Sequence, residues 1–574
     1  MQAIQDRSRL SGSSRRRWDY AVLLAVMVLL GSGCSGAGTE SVANQEAESD
    51  FLFPDDDESI APTDSPGEGK AASRAAPATA TVIGKSASAD AAQHGWFGPV
   101  FSWPVIAIHA ALIPDGRVLA FGTRSAASGV NALKYVVWNP AQGLGEDAFT
   151  TLPNSTGTNL FCAAQLVLPD SGDLLVVGGS GTDAYGRPNF GVANTNRFNP
   201  GRNELTRDSG GEMASRRWYP TVLTTADGTQ LVLGGRDNNS VAASAKGPAV
   251  EGRYAPTPEL LTARQGWRAL PGASSVKAYG SANSFAYPRA WQAPNGKIFV
   301  LGGSGAFFYL DIQGEGSISE IAPLQATAPR ATRVLPSVMY APGRILALRG
   351  GGRAITIDLN GPAPTWTPTA MVDGARLHSS ATVLPDGKVW LNGGGESTTS
   401  LVDADYQSQT WDPATGLWTT GAAAVRARLY HSTSLLLPDA TVLTAGGGSP
   451  GPQTNLNGEI FYPPYLYKND GSGELAERPQ IMAAPQQQLG WGESFDLEVA
   501  SATAISRVSL LRSGSATHSF NNEQRFLDLP FEQIGSTLRL RTPALRTLAP
   551  PGFYLLFVLD ADGVPSIAKM IRLA

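Results

Sequence analysis

The sequence predicts an all-β protein, a seven-bladed β-propeller followed by an immunoglobulin-like β-sandwich, and three observations carry that expectation. The 574 residues include 64 glycines and 40 prolines with only 16% charged residues, a composition of short strands and tight turns. A hairpin-like repeat recurs seven times. From about Arg478 the repeat gives way to a different alternating pattern.

Taken in chain order, residues 1–34 read as an export signal: Arg15, Arg16 and Arg17, an apolar run from Ala21 to Leu30, then small residues up to Cys34. The run is shorter than the roughly 20 residues a bilayer span needs. LLGSGCSG matches a bacterial lipoprotein processing site in which Cys34 would be acylated, although Gly31 stands where Leu is usual. A plain secretory signal cut nearby is the alternative, and SRRRW at Ser14 to Trp18 has a faint twin-arginine character. Membrane contact is expected only through that lipid. Residues 35–94, rich in Ala, Ser, Pro, Asp and Glu without an apolar period, are expected to form a disordered tether.

Residues 95–475 carry the repeat: a head residue, a short apolar run, a Pro-Asp-Gly type turn, a second apolar run and a glycine pair. The clearest copies are HSSATVLPDGKVWLNGGG from His378, HSTSLLLPDATVLTAGGG from His431, CAAQLVLPDSGDLLVVGG from Cys162 and YPTVLTTADGTQLVLGG from Tyr219. Weaker copies start at Tyr287, Leu335 and Ala107. The intervals between heads are 55, 57, 68, 48, 43 and 53 residues, near the roughly 50-residue period of kelch repeats. Each copy is a hairpin, and a ring of them buries what one alone cannot, with the first strands lining the central channel.

Residues 476–574 carry FDLEVA, ISRVSLLRS, STLRLRTP and GFYLLFVLDADGVPSIAKMIRL, strands at sandwich spacing without the Cys-Trp-Cys pattern of true immunoglobulin domains. Among them the loop SGSATHSFNNEQRF holds the tail's single histidine, His518.

Charge excludes one class of partner: 44 basic against 49 acidic residues, net −5, gives no footprint for nucleic acid, and small neutral substrates fit better. Two cysteines cannot staple an exported chain of this size. With Cys34 lipidated or removed, Cys162 is alone, either a buried apolar filler or chemically occupied.

Its position speaks for the second. Cys162, Tyr219 and His431 are heads of three different copies, Tyr430 directly precedes His431, and a closed ring converges equivalent positions on its axis. Copies two and three are neighbours, so Cys162 should meet Tyr219, while copy seven brings Tyr430 and His431 to the same mouth. Imidazoles with phenolate oxygens are a copper(II) ligand set rather than the tetrahedral thiolate or imidazole set of zinc. The second imidazole has to come from elsewhere, and His518 is the evident donor. His378 is also a head but is read as structural; His109, two residues out of register, and His94, beside the tether, are read as ordinary.

LFCAAQ around Cys162, RRWYPT around Tyr219, RLYHSTSLLLPD around Tyr430 and His431, and SATHSFNNEQRF around His518 occur in the order found in copper-radical oxidases. From about Trp96 to the C-terminus the chain resembles the galactose oxidase and glyoxal oxidase group. That resemblance implies a thioether between Cys162 and Tyr219, one copper ion held by Tyr219, His431 and His518 with Tyr430 axial, and Tyr430 as general base. It also implies hydrogen abstraction by the Tyr219 radical and dioxygen as co-substrate, leaving as hydrogen peroxide. An indole covers the modified tyrosine in this group, and Trp218 is the candidate, although strand alternation turns neighbouring side chains apart.

The region before Tyr287 lacks an evident counterpart of the arginine by which galactose oxidase holds its sugar, and a tether replaces that enzyme's carbohydrate-binding domain. WYPT and the Tyr287 copy resemble the glyoxal oxidase branch, whose substrates are small aldehydes and alpha-hydroxycarbonyls. The rivals are a noncatalytic propeller that binds a glycan or surface protein, and a copper oxidase of surface polysaccharide. The oligomeric state is open, with a monomer favoured.

Overall fold

The computed structural model describes residues 87–124, 134–181, 190–237, 254–262, 265–281, 284–303, 305–321, 334–397, 400–485, 488–500 and 504–574. The expected export signal, Cys34 and most of the tether lie outside these residues. The tether ends earlier than residue 94. Ala91–His94 form a helical turn in which Ala91 is buried and His94 Nδ1 donates to Thr420 O at 2.9 Å.

Seven antiparallel sheets follow the seven copies. Blade one comprises His109–Leu112, Val118–Gly122, Lys134–Trp138 and Phe149–Leu152; blade two starts at Ala164, blade three at Trp218, blade four at Arg289, blade five at Ser337 and blade six at Ser380. Blade seven, Ser432–Leu436, Val442–Gly446 and Asn457–Tyr462, takes its outer edge from the other end of the chain. Trp96 and Phe97 pair with Tyr462 and Phe461, and Phe101 and Ser102 with Gly458 and Asn457. Joining the first strands to the last blade closes the ring and removes a sheet edge. Inner strands are buried on both faces, as in Ala164–Val167 and Ser432–Leu436, because each blade packs between two others.

The tail is a sandwich of two four-stranded sheets. Leu497, Leu510, Leu538, Tyr554 and Leu556 fill the space between them. One hairpin leaves it: Ser515–Thr517 and Phe520–Asn521 add to blade one inside the ring, pairing Thr517 with His109, Ala516 with Ala110 and Ser515 with Ala111. His518 and Ser519 form the turn of that hairpin with φ of 46° and 61°. Positive φ at both central residues matches the right-handed twist of a two-residue hairpin, which usually selects Asn-Gly. A histidine there is held by its surroundings rather than by preference.

Buried ion pairs fix the loops that carry the heads. Arg217 donates to Gly234 O at 2.6 Å and Glu259 at 2.8 Å; in blade seven Arg428 donates to Gly446 O and Glu459, both at 2.9 Å. Glu459 also accepts from Val425 N at 2.8 Å. Removing one partner strands a charge without water. Glu459→Ala is expected to destabilise the protein by about 3–5 kcal/mol, read as a lower denaturation midpoint, whereas loss of an exposed pair such as Lys468–Glu474 leaves the midpoint nearly unchanged.

Candidate metal centre

The heads share a backbone conformation that strand patterning does not report. Cys162, Tyr219, Tyr287, His378 and His431 all have positive φ, between 43° and 66°. Such values are uncommon for residues other than glycine and turn the side chain away from the direction alternation would give it. The heads also bind one another: Tyr219 N donates to Cys162 O at 2.9 Å and Tyr287 N to Tyr219 O at 2.8 Å. A blade therefore hands its head to the next.

This explains the two neighbours Trp218 and Tyr219. Alternation predicts opposite directions, yet both are buried and the indole meets the Tyr219 ring edge-on with centroids 4.2 Å apart. The left-handed turn at Tyr219 swings its ring back alongside the tryptophan.

Besides Trp218, the other five expected site residues meet. The Tyr219 and Tyr430 hydroxyls are in hydrogen-bond contact, and the Cys162 thiol lies beside the Tyr219 phenol and the Trp218 indole. Cys162 Sγ lies 3.7 Å from His518 Nε2, and ligand atoms of Cys162, His431 and His518 lie within 4.8 Å of one another. The Tyr430 ring stacks on His431 at 3.8 Å, and the two imidazoles meet at 4.6 Å and 88°. Cys162, Tyr219, His431 and His518 are buried; Tyr430 is half-buried and marks the way in.

Both histidines present the lone pair of Nε2 inward. His431 Nδ1 donates to Gly448 O at 2.9 Å, which leaves Nε2 as acceptor, buried and without a partner. Thr517 Oγ1 donates to Ile108 O at 3.0 Å, so it accepts from His518 Nδ1 at 2.6 Å. Fixing Nδ1 by hydrogen bonds is how proteins orient metal-binding imidazoles. Burial lowers the His431 pKa to about 4 and, together with His431, pushes His518 well below its ordinary value. Both are neutral, the ligating form. Burial also holds the Cys162 thiol and Tyr219 phenol protonated, well above their usual ranges. Two neutral imidazoles, two phenols and an orphaned lone pair fit a copper(II) ion.

Sequence reasoning missed part of the wall. Tyr287 packs 5.0 Å from the Tyr219 ring and 4.6 Å from His518, and its hydroxyl donates to Ala163 O at 2.9 Å. His378, read as structural, packs 4.8 Å from the Tyr430 ring. The head position was the available signal for both. His109, read as ordinary, lies 5.8 Å from the His518 ring and is held through Nδ1 by Gln165 Oε1 at 2.8 Å. His94 is instead tied to blade six, through Thr420. Arg289, buried beneath the site, donates to His518 O at 3.4 Å and Leu335 O at 3.3 Å, and bridges the tail to blade five.

The buried imidazoles set an acid limit. Burial lowers the His109 pKa to about 3 and that of His431 to about 4, against an unfolded value near 6.5. Between those values the unfolded chain binds more protons, so stability is complete above about pH 6.5 and is lost as pH falls, by about 1.4 kcal/mol per unit for each histidine. Urea midpoints of metal-free protein should fall between pH 7 and pH 5, and a flat profile would contradict the assignment.

Residues 478–573 match the galactose oxidase-like early set domain family. The chain is 28% identical to galactose oxidase of Gibberella zeae over 506 residues, 83% of this chain and 70% of that one. It is 27% identical to the aldehyde oxidase GLOX of Vitis pseudoreticulata, over 72% of this chain and 82% of that one. Among solved structures, a fungal alcohol oxidase of the AA5 family in complex with copper superposes with a TM-score of 0.72 at 25% identity, covering 84% of this chain and all of the other. Propeller, tail and the cluster of imidazoles and phenols agree with these likenesses: over most of its length the chain is similar to galactose oxidase, to the aldehyde oxidase GLOX and to the AA5 alcohol oxidase, and its tail is a galactose oxidase-like early set domain.

Proposed function

We propose that this protein is an exported copper-radical oxidase of small aldehydes or primary alcohols, of the glyoxal or glycolaldehyde kind, with dioxygen as acceptor. The observation that carries the reading is the Cys162 thiol against the Tyr219 phenol, beside two imidazoles whose Nε2 atoms face the same point. The cross-link joins Cys162 Sγ to the Tyr219 ring with loss of two hydrogens and two electrons to dioxygen. Tyr219, Tyr430, His431 and His518 would hold the copper. Bound there, copper accepts one electron, and the thioether-modified Tyr219 accepts the other.

The residues then divide the work. Tyr430, the half-buried member, receives the substrate hydroxyl and takes its proton on Oη as general base. Tyr219 Oη takes the hydrogen from the adjacent carbon. Trp218, edge-on to Tyr219, keeps water from the ring that carries the radical. An alcohol RCH2OH and O2 yield RCHO and H2O2; a hydrated aldehyde RCH(OH)2 and O2 yield the acid and H2O2. Export, with or without a lipid on Cys34, agrees with a substrate met outside the cytoplasm.

Peroxide release by copper-loaded protein over glyoxal, methylglyoxal, glycolaldehyde, glycerol and galactose tests the reading, with the small aldehydes expected to lead. Intact mass should fall about 2 Da below that of the free-thiol chain. A free Cys162 thiol in copper-loaded protein, with no peroxide from any substrate, would point to a binding module instead.

A further inference from the structure

Blade five ends, on the face that carries the metal centre, in a feature the oxidase chemistry does not use. Its second and third strands, Arg344–Arg349 and Arg353–Asp358, join through Gly350, Gly351 and Gly352, and Arg349 pairs directly across from Arg353. Cross-strand partners leave the sheet on the same side, so this turn places two arginines on one face of blade five, Arg349 turned inward and Arg353 outward. Arg349 is 0% exposed, and none of its three side-chain nitrogens has a hydrogen-bond partner among the described residues. Arg353 is exposed, with Nε donating to Gly350 O at 3.0 Å. No carboxylate among the described residues pairs with either.

A guanidinium does not escape burial by losing its proton, and an unpaired buried cation is among the costliest groups a fold can hold. Burial with no compensating charge depresses its pKa to about 9, still well above neutrality. The three other wholly buried arginines show what is missing: Arg217 and Arg428 each hold a glutamate, and Arg376 lies 3.6 Å from Asp405. At Arg349 no described residue supplies that negative partner. Gly350 and Gly351 have nothing within 4 Å of where a side chain would start, so the approach over the turn is open.

We propose that Arg349 and Arg353 form an oxyanion site, for a carboxylate or an inorganic oxyanion, at the outer edge of the contact between blades four and five. The apolar cluster of Trp291, Phe299, Leu301, Ile345 and Ile355 floors it and excludes water from the buried fork. Leu348 N donates to Pro336 O, which sets Arg349 one strand outward from the head residue Leu335. The bound group is therefore a neighbour of the metal centre rather than a part of it. A planar guanidinium fork suits two oxygens of one anion, and Arg353, across the strand pair at the turn, adds positive charge on the approach.

The test uses the full copper-loaded protein and reads thermal unfolding in sodium phosphate and in sodium acetate, each against sodium chloride at equal ionic strength. Saturating oxyanion should raise the midpoint by about 2–4 °C. The rise should vanish in Arg349→Met and shrink in Arg353→Gln, whose exposed position keeps the test valid if the buried substitution fails to fold. No specific rise, or the same rise in Arg353→Gln as in the parent, would overturn the site. The source is separated by peroxide release. If the carboxylate of a substrate occupies it, Arg353→Gln raises KM for glyoxylate severalfold and leaves neutral glycolaldehyde unchanged; if a free ion does, neither KM moves. The thermal arm needs no turnover, so it stands even if the oxidase reading fails.

Discussion

Cys162→Ser is expected to lower peroxide production by about a thousand-fold while leaving the fold in place. Cys162 is fully buried, and its thiol meets Tyr219 with His518 Nε2 at 3.7 Å. Serine is similar in shape but cannot form a thioether, so Tyr219 would remain an ordinary phenol. Sulfur bonded beside the phenol oxygen donates electron density and makes the ring easier to oxidise. A thousand-fold loss corresponds to roughly 180 mV, at about 59 mV per tenfold for a one-electron step. The measurement pairs turnover with the thermal midpoint. Activity within tenfold of the parent would refute the cross-linked radical; loss of activity with loss of the fold would decide nothing, which is why the midpoint is read alongside.

The second large effect concerns the tail. His518→Ala is expected to weaken copper binding by well over 100-fold and to abolish turnover, although the substitution lies 409 residues from His109 of blade one in the chain. The hairpin turn carrying His518 is clamped by pairing of Thr517 with His109, by Arg289 at the His518 carbonyl and by the Tyr287 ring. Thr517→Val should cost about 10–100-fold in copper affinity, because Thr517 Oγ1 fixes the proton on His518 Nδ1. A copper titration that finds the three proteins equal would remove His518 from the ligand set. Loss in Thr517→Val as severe as in His518→Ala would mean that the hairpin itself, rather than one hydrogen bond, had moved.

Much of this was legible without coordinates. The period of the heads, from Ala107 to His431, announced seven hairpins, and a hairpin with a buried face requires a ring of its kind to cover it. The register of Cys162, Tyr219 and His431 then placed three site residues at one mouth. His378, read as structural, and Tyr287 occupy the same register; as wall residues against Tyr430, Tyr219 and His518 they follow from register alone. His109 could not be found this way. It reaches the centre through pairing with a hairpin from another domain, which no local pattern in blade one encodes.

What the sequence determined by itself, then, was which residues share a position in the repeat, since periodicity is a property of order along the chain. Only the tertiary structure decided where the side chains point and what reaches them. Positive backbone angles at the heads set Tyr219 beside Trp218, the tail hairpin entered the ring to deliver His518, and Trp96–Phe97 closed blade seven. The physical reason is that these outcomes depend on contacts between segments hundreds of residues apart, whose geometry exists only once the ring has closed around them.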